Sequence, residues 1–234
     1  MNLFYHANSL ENERVVLDPA DAIHLTKVLR MKDGAQIHMT NGLGDLFDAL
    51  VVANGRNVEI EVLKKLPAVQ TAIQLEMVVA PTKNQDRLEW FVEKAVEIGV
   101  GKIRLITAEH SERSHIRMDR LQRVAIAAMK QSLKLYLPEI VEPVDFKDWM
   151  PSANGTVCIA HCRENPARQL LRDVLTPGEP ATIAIGPEGD FAVSELAMAM
   201  DAGFIPVSLG NSRLRTETAA ICAVHTFELI NQMR

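Results

Sequence analysis

The sequence predicts an α/β protein in two parts: a small β-barrel over residues 1–68, then a mostly parallel sheet with helices on both faces over residues 72–234. Three observations lead to it. Turn signals break the first 65 residues into short β-prone runs at roughly ten-residue spacing. Beyond Lys64-Lys65-Leu66-Pro67, strand-like and helix-like runs alternate. The chain has 234 residues, 47% hydrophobic and 24% charged, which suits two small globular domains.

In the first part, turns fall at Lys32-Asp33-Gly34, Asn41-Gly42-Leu43-Gly44-Asp45 and Asn54-Gly55-Arg56-Asn57, and between them lie strand candidates at 36–40, 46–52 and 58–63. Val58-Glu59-Ile60-Glu61-Val62 alternates apolar and charged, the period of a half-buried strand. A short helix is expected over 21–29, started by Asp18-Pro19-Ala20-Asp21. In the second part, strands are expected at 73–80, 103–107, 156–160, 182–185 and 206–209. Helices are expected at 84–98, 117–135, 165–174, 194–202 and 217–233. The first of these places Leu88, Phe91, Val92, Ala95 and Ile98 on one face, and Gly99 stops it.

Ligands of open parallel sheets bind beyond the carboxyl ends of the strands. Two such ends stand out. Ile185-Gly186-Pro187-Glu188-Gly189 follows one strand, and its glycines allow a ligand to approach the backbone. Its other reading is a tight strand-to-helix turn. Leu209-Gly210-Asn211-Ser212-Arg213-Leu214-Arg215-Thr216 follows the next strand and leads into a helix. Thr216 reads as an N-cap. Cations are unfavourable at a helix N-terminus, so Arg213 and Arg215 suggest an anionic partner, the alternative being solvated surface side chains.

Several classes are disfavoured. No GxGxxG follows the first strand of the second part, and there is no GxxxxGK[ST]. Cys158, Cys162 and Cys222 are an odd, sparse set, read as buried thiols; no metal site is expected. No basic-then-apolar segment opens the chain and no apolar run approaches bilayer length, so a soluble cytoplasmic protein without a membrane partner is expected. The net charge of −5 gives no global nucleic-acid signature. Locally, Arg113, Arg117, Arg120, Arg123, Lys130 and Lys134 face the single acid Asp119, a basic stripe of the kind phosphate contacts require. Its other reading is a solvated helix face.

The two glycine loops, taken in this order, strongly resemble those of the SPOUT class of methyltransferases. Within that class the chain is similar to the RsmE family, bacterial small-subunit ribosomal RNA uridine-N3 methyltransferases. His24-Leu25-xx-Val28-Leu29-Arg30, Glu93-Lys94-Ala95-xx-Ile98-Gly99 and Ser111-Glu112-Arg113-Ser114 agree, so the match is collinear along essentially the whole chain. It departs at Ala127–Lys134: Gln131 and Ser132 match, Lys130 and Leu133 differ, and Lys134 replaces an arginine.

The resemblance implies a PUA-like RNA-binding barrel and a SPOUT domain whose carboxy-terminal segment forms a trefoil knot. It implies S-adenosylmethionine as cofactor, a homodimer, and 16S ribosomal RNA or the small ribosomal subunit as partner. The cofactor would be held by Ile185, Gly186, Pro187, Glu188, Gly189, Leu209, Gly210, Leu214, Arg215 and Thr216. RNA would meet Arg30, Arg113, Arg123, Lys134 and Arg213.

An activated methyl group leaves mainly a positioning task, plus removal of the uracil N3 proton. Either a general base or a cation stabilising the uracil anion would serve. Glu217 is the candidate base, or simply a first-turn acid; Arg215 is the candidate anion stabiliser or phosphate clamp. A non-catalytic RNA-binding or ribosome-assembly protein, or a methyltransferase of the same class with another target atom, are the alternatives.

Overall fold

The computed structural model describes residues 2–8, 11–54, 57–68, 74–112, 116–153 and 155–232, in two compact units. The first is Met1–Ala72 together with Ile126–Leu137. Its five strands are β1 (Leu3–Tyr5), β2 (Arg14–Val16), β3 (Gln36–Thr40), β4 (Leu46–Asn54) and β5 (Val58–Leu66), ordered β1-β3-β4-β5-β2. The alternation in β5 sends Val58, Ile60 and Val62 into the core and turns Glu59 and Glu61 outward. Register shifts in the β4–β5 pair, between Asp48 and Ala49 and between Val51 and Ala53, add twist where the sheet must curl. The three-residue β1 and β2 are too short to leave a period in the sequence.

The helix expected over 21–29 begins earlier, at α1 (Pro19–Ile23), where the Asp18 carboxylate accepts from Ala20 N at 2.9 Å. It continues as a π-helical turn, His24–Val28, that buries Leu25 in the core. The Ile126–Leu137 segment completes this unit. Leu137 N donates to Gly42 O at 2.8 Å, Gly44 N to Leu135 O at 2.9 Å, and Lys130 pairs with Asp21. The turn expected at 54–57 lies partly outside the described residues.

The second unit is Ile73–Ala125 with Pro138–Arg234. Its strands are β6 (Leu75–Val79), β7 (Lys102–Thr107), β8 (Glu139–Asp145), β9 (Thr156–Ala160), β10 (Gln169–Leu170), β11 (Ala181–Ile185) and β12 (Ile205–Ser208). All pair in parallel, in the order β10-β12-β9-β11-β6-β7-β8. β11 is fully buried, apolar but for Thr182, as suits a strand covered on both faces. The long helices are α2 (Gln85–Ile98), α3 (Met118–Gln131), α6 (Val193–Asp201) and α7 (Thr216–Gln232), with short turns α4 (Phe146–Trp149) and α5 (Leu171–Val174). Asn84 caps α2, accepting from Asp86 N at 2.8 Å, and Gly99 ends it at φ 144°. The helix expected over 117–135 stops at Gln131 because Leu133 turns left-handed, at φ 57°.

The helix expected over 165–174 is a correction. Only 171–174 is helical; β10 precedes it, and Pro166 disfavours helical backbone at Asn165, where the helix was expected to start. One core cluster of this unit gathers Phe146, Trp149, Phe191 and Phe204. The Phe146 and Phe191 rings lie 4.7 Å apart and both residues are fully buried. Among the described residues, no helix is long and apolar enough to cross a membrane, and no group of three metal-ligating side chains forms.

Because Phe146 is wholly enclosed, Phe146→Ala is expected to lower unfolding stability by about 3–5 kcal/mol. The change Val28→Ala, at a side chain 64% exposed, should stay within about 0.5 kcal/mol. Urea denaturation of both variants checks the contrast.

Candidate active site

The site begins with strand order. β11 lies between β6 and β9, and β12 lies on the far side of β9. Register aligns Ile185 with Ala160 and Ala160 with Val207, so three strands end level and side by side. Beyond those ends is a cavity of about 450 Å³. Ile185, Gly186, Pro187, Glu188, Gly189, Leu209, Gly210, Leu214, Arg215 and Thr216 all line it, as does Arg213.

Packing dictates the first loop. A Cβ on Gly186 would lie 2.9 Å from the buried Phe191 ring, and one on Gly189 would lie 2.9 Å from the His110 Cβ. Neither position has room for a side chain. Asp190 then adopts φ 66° and steadies the turn with its own carboxylate. That carboxylate accepts from Phe191 N at 2.8 Å and from Cys162 N, at the end of β9, at 2.9 Å. Behind the loop, Glu195 accepts from Ala192 N at 2.8 Å and from Glu109 N at 2.9 Å, closing the start of α6. At the rim, Glu188 accepts from Lys83 N at 3.4 Å, and the Lys83 ammonium sits 2.8 Å from Glu112, which raises its pKa.

The second loop turns at Gly210, φ 125°, a conformation side chains rarely adopt. Thr216 is not the N-cap expected for the last helix. It is the first residue of α7, and its hydroxyl donates to Gly186 O at 3.2 Å. This buried bond ties the two loops together.

Not every expected residue reaches the cavity. Glu217 is 6% exposed and does not line it; one carboxylate oxygen sits 3.8 Å from Arg87 Nε and the other meets no partner. The basic stripe is partly neutralised: Arg123 pairs with Asp119 and Arg120 with Glu89. Arg30 is exposed at φ 53° in the first unit, to which Lys134 also belongs, and Arg113 lies outside the described residues.

Sequence reasoning missed the end of β9, where Ala160, His161, Cys162 and Arg168 complete the cavity wall. The signal was available as a third strand end reading His-Cys-Arg. Cys162 corrects the expectation of three buried thiols: it is exposed, whereas Cys158 is buried with its thiol pushed up to about 12 by desolvation. His161 is 5% exposed and neither ring nitrogen makes a well-formed hydrogen bond. Burial lowers its pKa, against an opposing pull from Asp190. Arg168 Nη1 donates to the His161 carbonyl at 2.7 Å and fixes its backbone.

The chain is similar to known proteins over most of its length. Residues 69–228 match the model of the RNA methyltransferase domain family. A relative from Rickettsia conorii named ribosomal RNA small subunit methyltransferase E is 28% identical, over 97% of this chain and 95% of its own. The crystal structure of a probable rRNA-methyltransferase from Porphyromonas gingivalis superposes with TM-score 0.89 at 38% identity, covering 98% of this chain and 99% of that one. A ribosomal RNA small subunit methyltransferase E from Neisseria gonorrhoeae, bound to S-adenosyl methionine, superposes with TM-score 0.86 at 26% identity, covering 98% and 97%.

Two outcomes follow. Thr216→Val should cost about 1 kcal/mol of unfolding free energy while Thr216→Ser costs less, because Ser keeps the donor to Gly186 O; paired denaturation curves decide this. His161 titrates lower in the folded chain than its ordinary 6.5, so the unfolded chain takes up its proton first as pH falls. Its contribution is therefore constant above that pH and becomes destabilising below it. Between pH 7 and 5 the wild type should lose stability faster than His161→Gln; parallel stability–pH curves would refute the assignment.

Proposed function

The chain belongs to the RNA methyltransferase family, alongside the RsmE enzymes, and from that premise we propose that it transfers the methyl group of S-adenosylmethionine to N3 of a uridine in 16S ribosomal RNA. The observation that carries the reading is a cavity in which both glycine loops and the end of β9 meet. The residues suit this cofactor. A cavity of about 450 Å³ falls within the range of small-molecule sites. Ile185, Pro187, Val207, Leu209 and Leu214 offer apolar wall for a purine, and His161, Arg168 and Arg215 offer polar groups at its margin. Gly186 and Gly189 keep side chains out of the approach.

When bound, the cofactor supplies a methyl group already activated on sulfonium. The chain's task is then to orient and to manage one proton. The Thr216–Gly186 bond and the Asp190 turn hold the two loops in fixed relation, so little ordering remains to be done on binding. Uracil N3 must shed its proton to become nucleophilic. Arg215 lines the cavity and has no carboxylate within ion-pair distance among the described residues; we assign it to stabilising the uracil anion. Glu217 is set aside as the base, since its carboxylate lies off the cavity wall beside Arg87. It is read instead as a first-turn acid at the start of α7.

N3 is masked in a base pair, so the target uridine enters unpaired or flipped out. The reading carries with it a homodimer, a knotted carboxy-terminal topology, and RNA contacts at Arg30, Arg113, Arg123, Lys134 and Arg213.

Small ribosomal particles and free 16S RNA from a strain lacking the gene, incubated with the protein and methyl-labelled S-adenosylmethionine, should yield labelled 3-methyluridine on nucleoside digestion. A labelled 2′-O-methyl nucleoside, or no label, would overturn the assignment. Arg215→Ala should lower kcat by about 10²-fold. Glu217→Gln should keep the wild-type pH–rate profile; loss of its acid limb would restore Glu217 as the base.

A further inference from the structure

Beside the cofactor cavity lies a second, more open and mostly polar hollow of about 600 Å³. It is continuous with the cavity, sharing eight of its ten lining residues, Arg168 and Arg213 among them, and adds Arg163 and Asn211. Its cations differ from several other described arginines. Arg14, Arg87, Arg104, Arg120, Arg123 and Arg172 each sit within 4.0 Å of a carboxylate. Arg163, Arg168 and Arg213 have no such partner among the described residues.

Two of the three are nonetheless held in place. Arg163 donates through Nε and Nη2 to Phe191 O at 3.1 and 3.0 Å, and Arg168 donates through Nη1 to His161 O at 2.7 Å. Carbonyl partners fix a guanidinium without cancelling its charge, and they leave most of its N–H donors free. The one carboxylate in the wall, Asp190, accepts from the backbone N–H groups of Cys162 and Phe191 and keeps its charge, so three guanidinium groups against one carboxylate leave the wall net positive. The hollow therefore presents fixed positive charge with unused, fork-shaped donors. Its complement is a tetrahedral oxyanion reached from solvent.

We propose that this hollow is a phosphodiester subsite, gripping the RNA backbone next to the nucleotide that enters the cofactor cavity. The inference rests on reading that cavity as the cofactor site of an RNA methyltransferase. It also meets the difficulty of a chain with net charge −5 binding a polyanion: the positive charge is concentrated where the acceptor must be held. Extruding a base costs stacking energy, and a fixed grip on the adjoining phosphate offsets part of that cost.

Arg163 and Asn211 line the hollow and not the cavity, so they separate the two ligands. Full-length wild type, Arg163→Gln, Asn211→Asp and the control Arg172→Gln would be compared in two measurements. These are filter binding of a 16S RNA transcript at several salt concentrations, and calorimetric titration of S-adenosylmethionine. Both hollow variants should bind RNA about tenfold more weakly, and Arg163→Gln should reduce the salt slope by about 1. Their cofactor affinity should match wild type, which also certifies folding, and Arg172→Gln should change neither. A loss of cofactor affinity instead, marking the oxyanion as the cofactor's own carboxylate, overturns the subsite. So does unchanged RNA binding. RNA binding that weakens as predicted in a chain with no cofactor affinity would uphold the subsite and overturn the methyltransferase reading.

Discussion

The contact between Gly186 and Phe191 governs the second unit. Phe191 is fully enclosed in an aromatic cluster with Phe146 4.7 Å away, so it has little freedom to retreat. A Cβ at residue 186 would meet its ring at 2.9 Å. The end of β11 must therefore be glycine, and the backbone left bare there is the floor of the cavity. The Gly186 carbonyl in turn receives the Thr216 hydroxyl, which sets where α7 begins. Arg215, immediately before that helix, is positioned by the same bond. Core packing and site geometry are thus one constraint.

Strand order supplies the rest. Placing β11 between β6 and β9 brings three carboxyl ends to one edge. The resulting wall combines loops separated by many residues, none of which makes a site alone. A flexible arrangement would have to spend binding energy on ordering those loops; hydrogen bonds from Thr216, Cys162 and Arg168 have already ordered them.

Much of this was legible in the sequence. The alternation of Val58–Val62 and the helical spacing from Leu88 to Ile98 report burial directly, and both elements fold as their periods require. Each glycine loop alone also reads as a tight turn; their order along the chain, their spacing and the arginines of the second made them legible as a pair. What escaped notice was short, depended on distant partners, or, as in the seven-residue β8 with Pro143 inside it, lacked a clean strand period. β1, β2 and β10 have two or three residues each. The helix expected over 165–174 overlooked what Pro166 does to its neighbours. His161, Cys162 and Arg168 join the cavity wall through the order of β9, β11 and β12, and the sequence marked them only as a third strand end. Glu217 reads from the sequence as a candidate base or simply a first-turn acid, and the first turn of α7 carries its carboxylate beside Arg87. The basic stripe looked stronger as a count of residues than it is, since Glu89, Asp119 and Asp21 lie across from Arg120, Arg123 and Lys130.

The central claim is that both glycine loops and the end of β9 hold one S-adenosylmethionine. Hydrogen–deuterium exchange on the full chain, with and without saturating S-adenosylmethionine, tests it by location. Slowed exchange concentrated at residues 160–163, 185–190 and 208–216 is the predicted result. No protection, or protection confined to other segments, would contradict it.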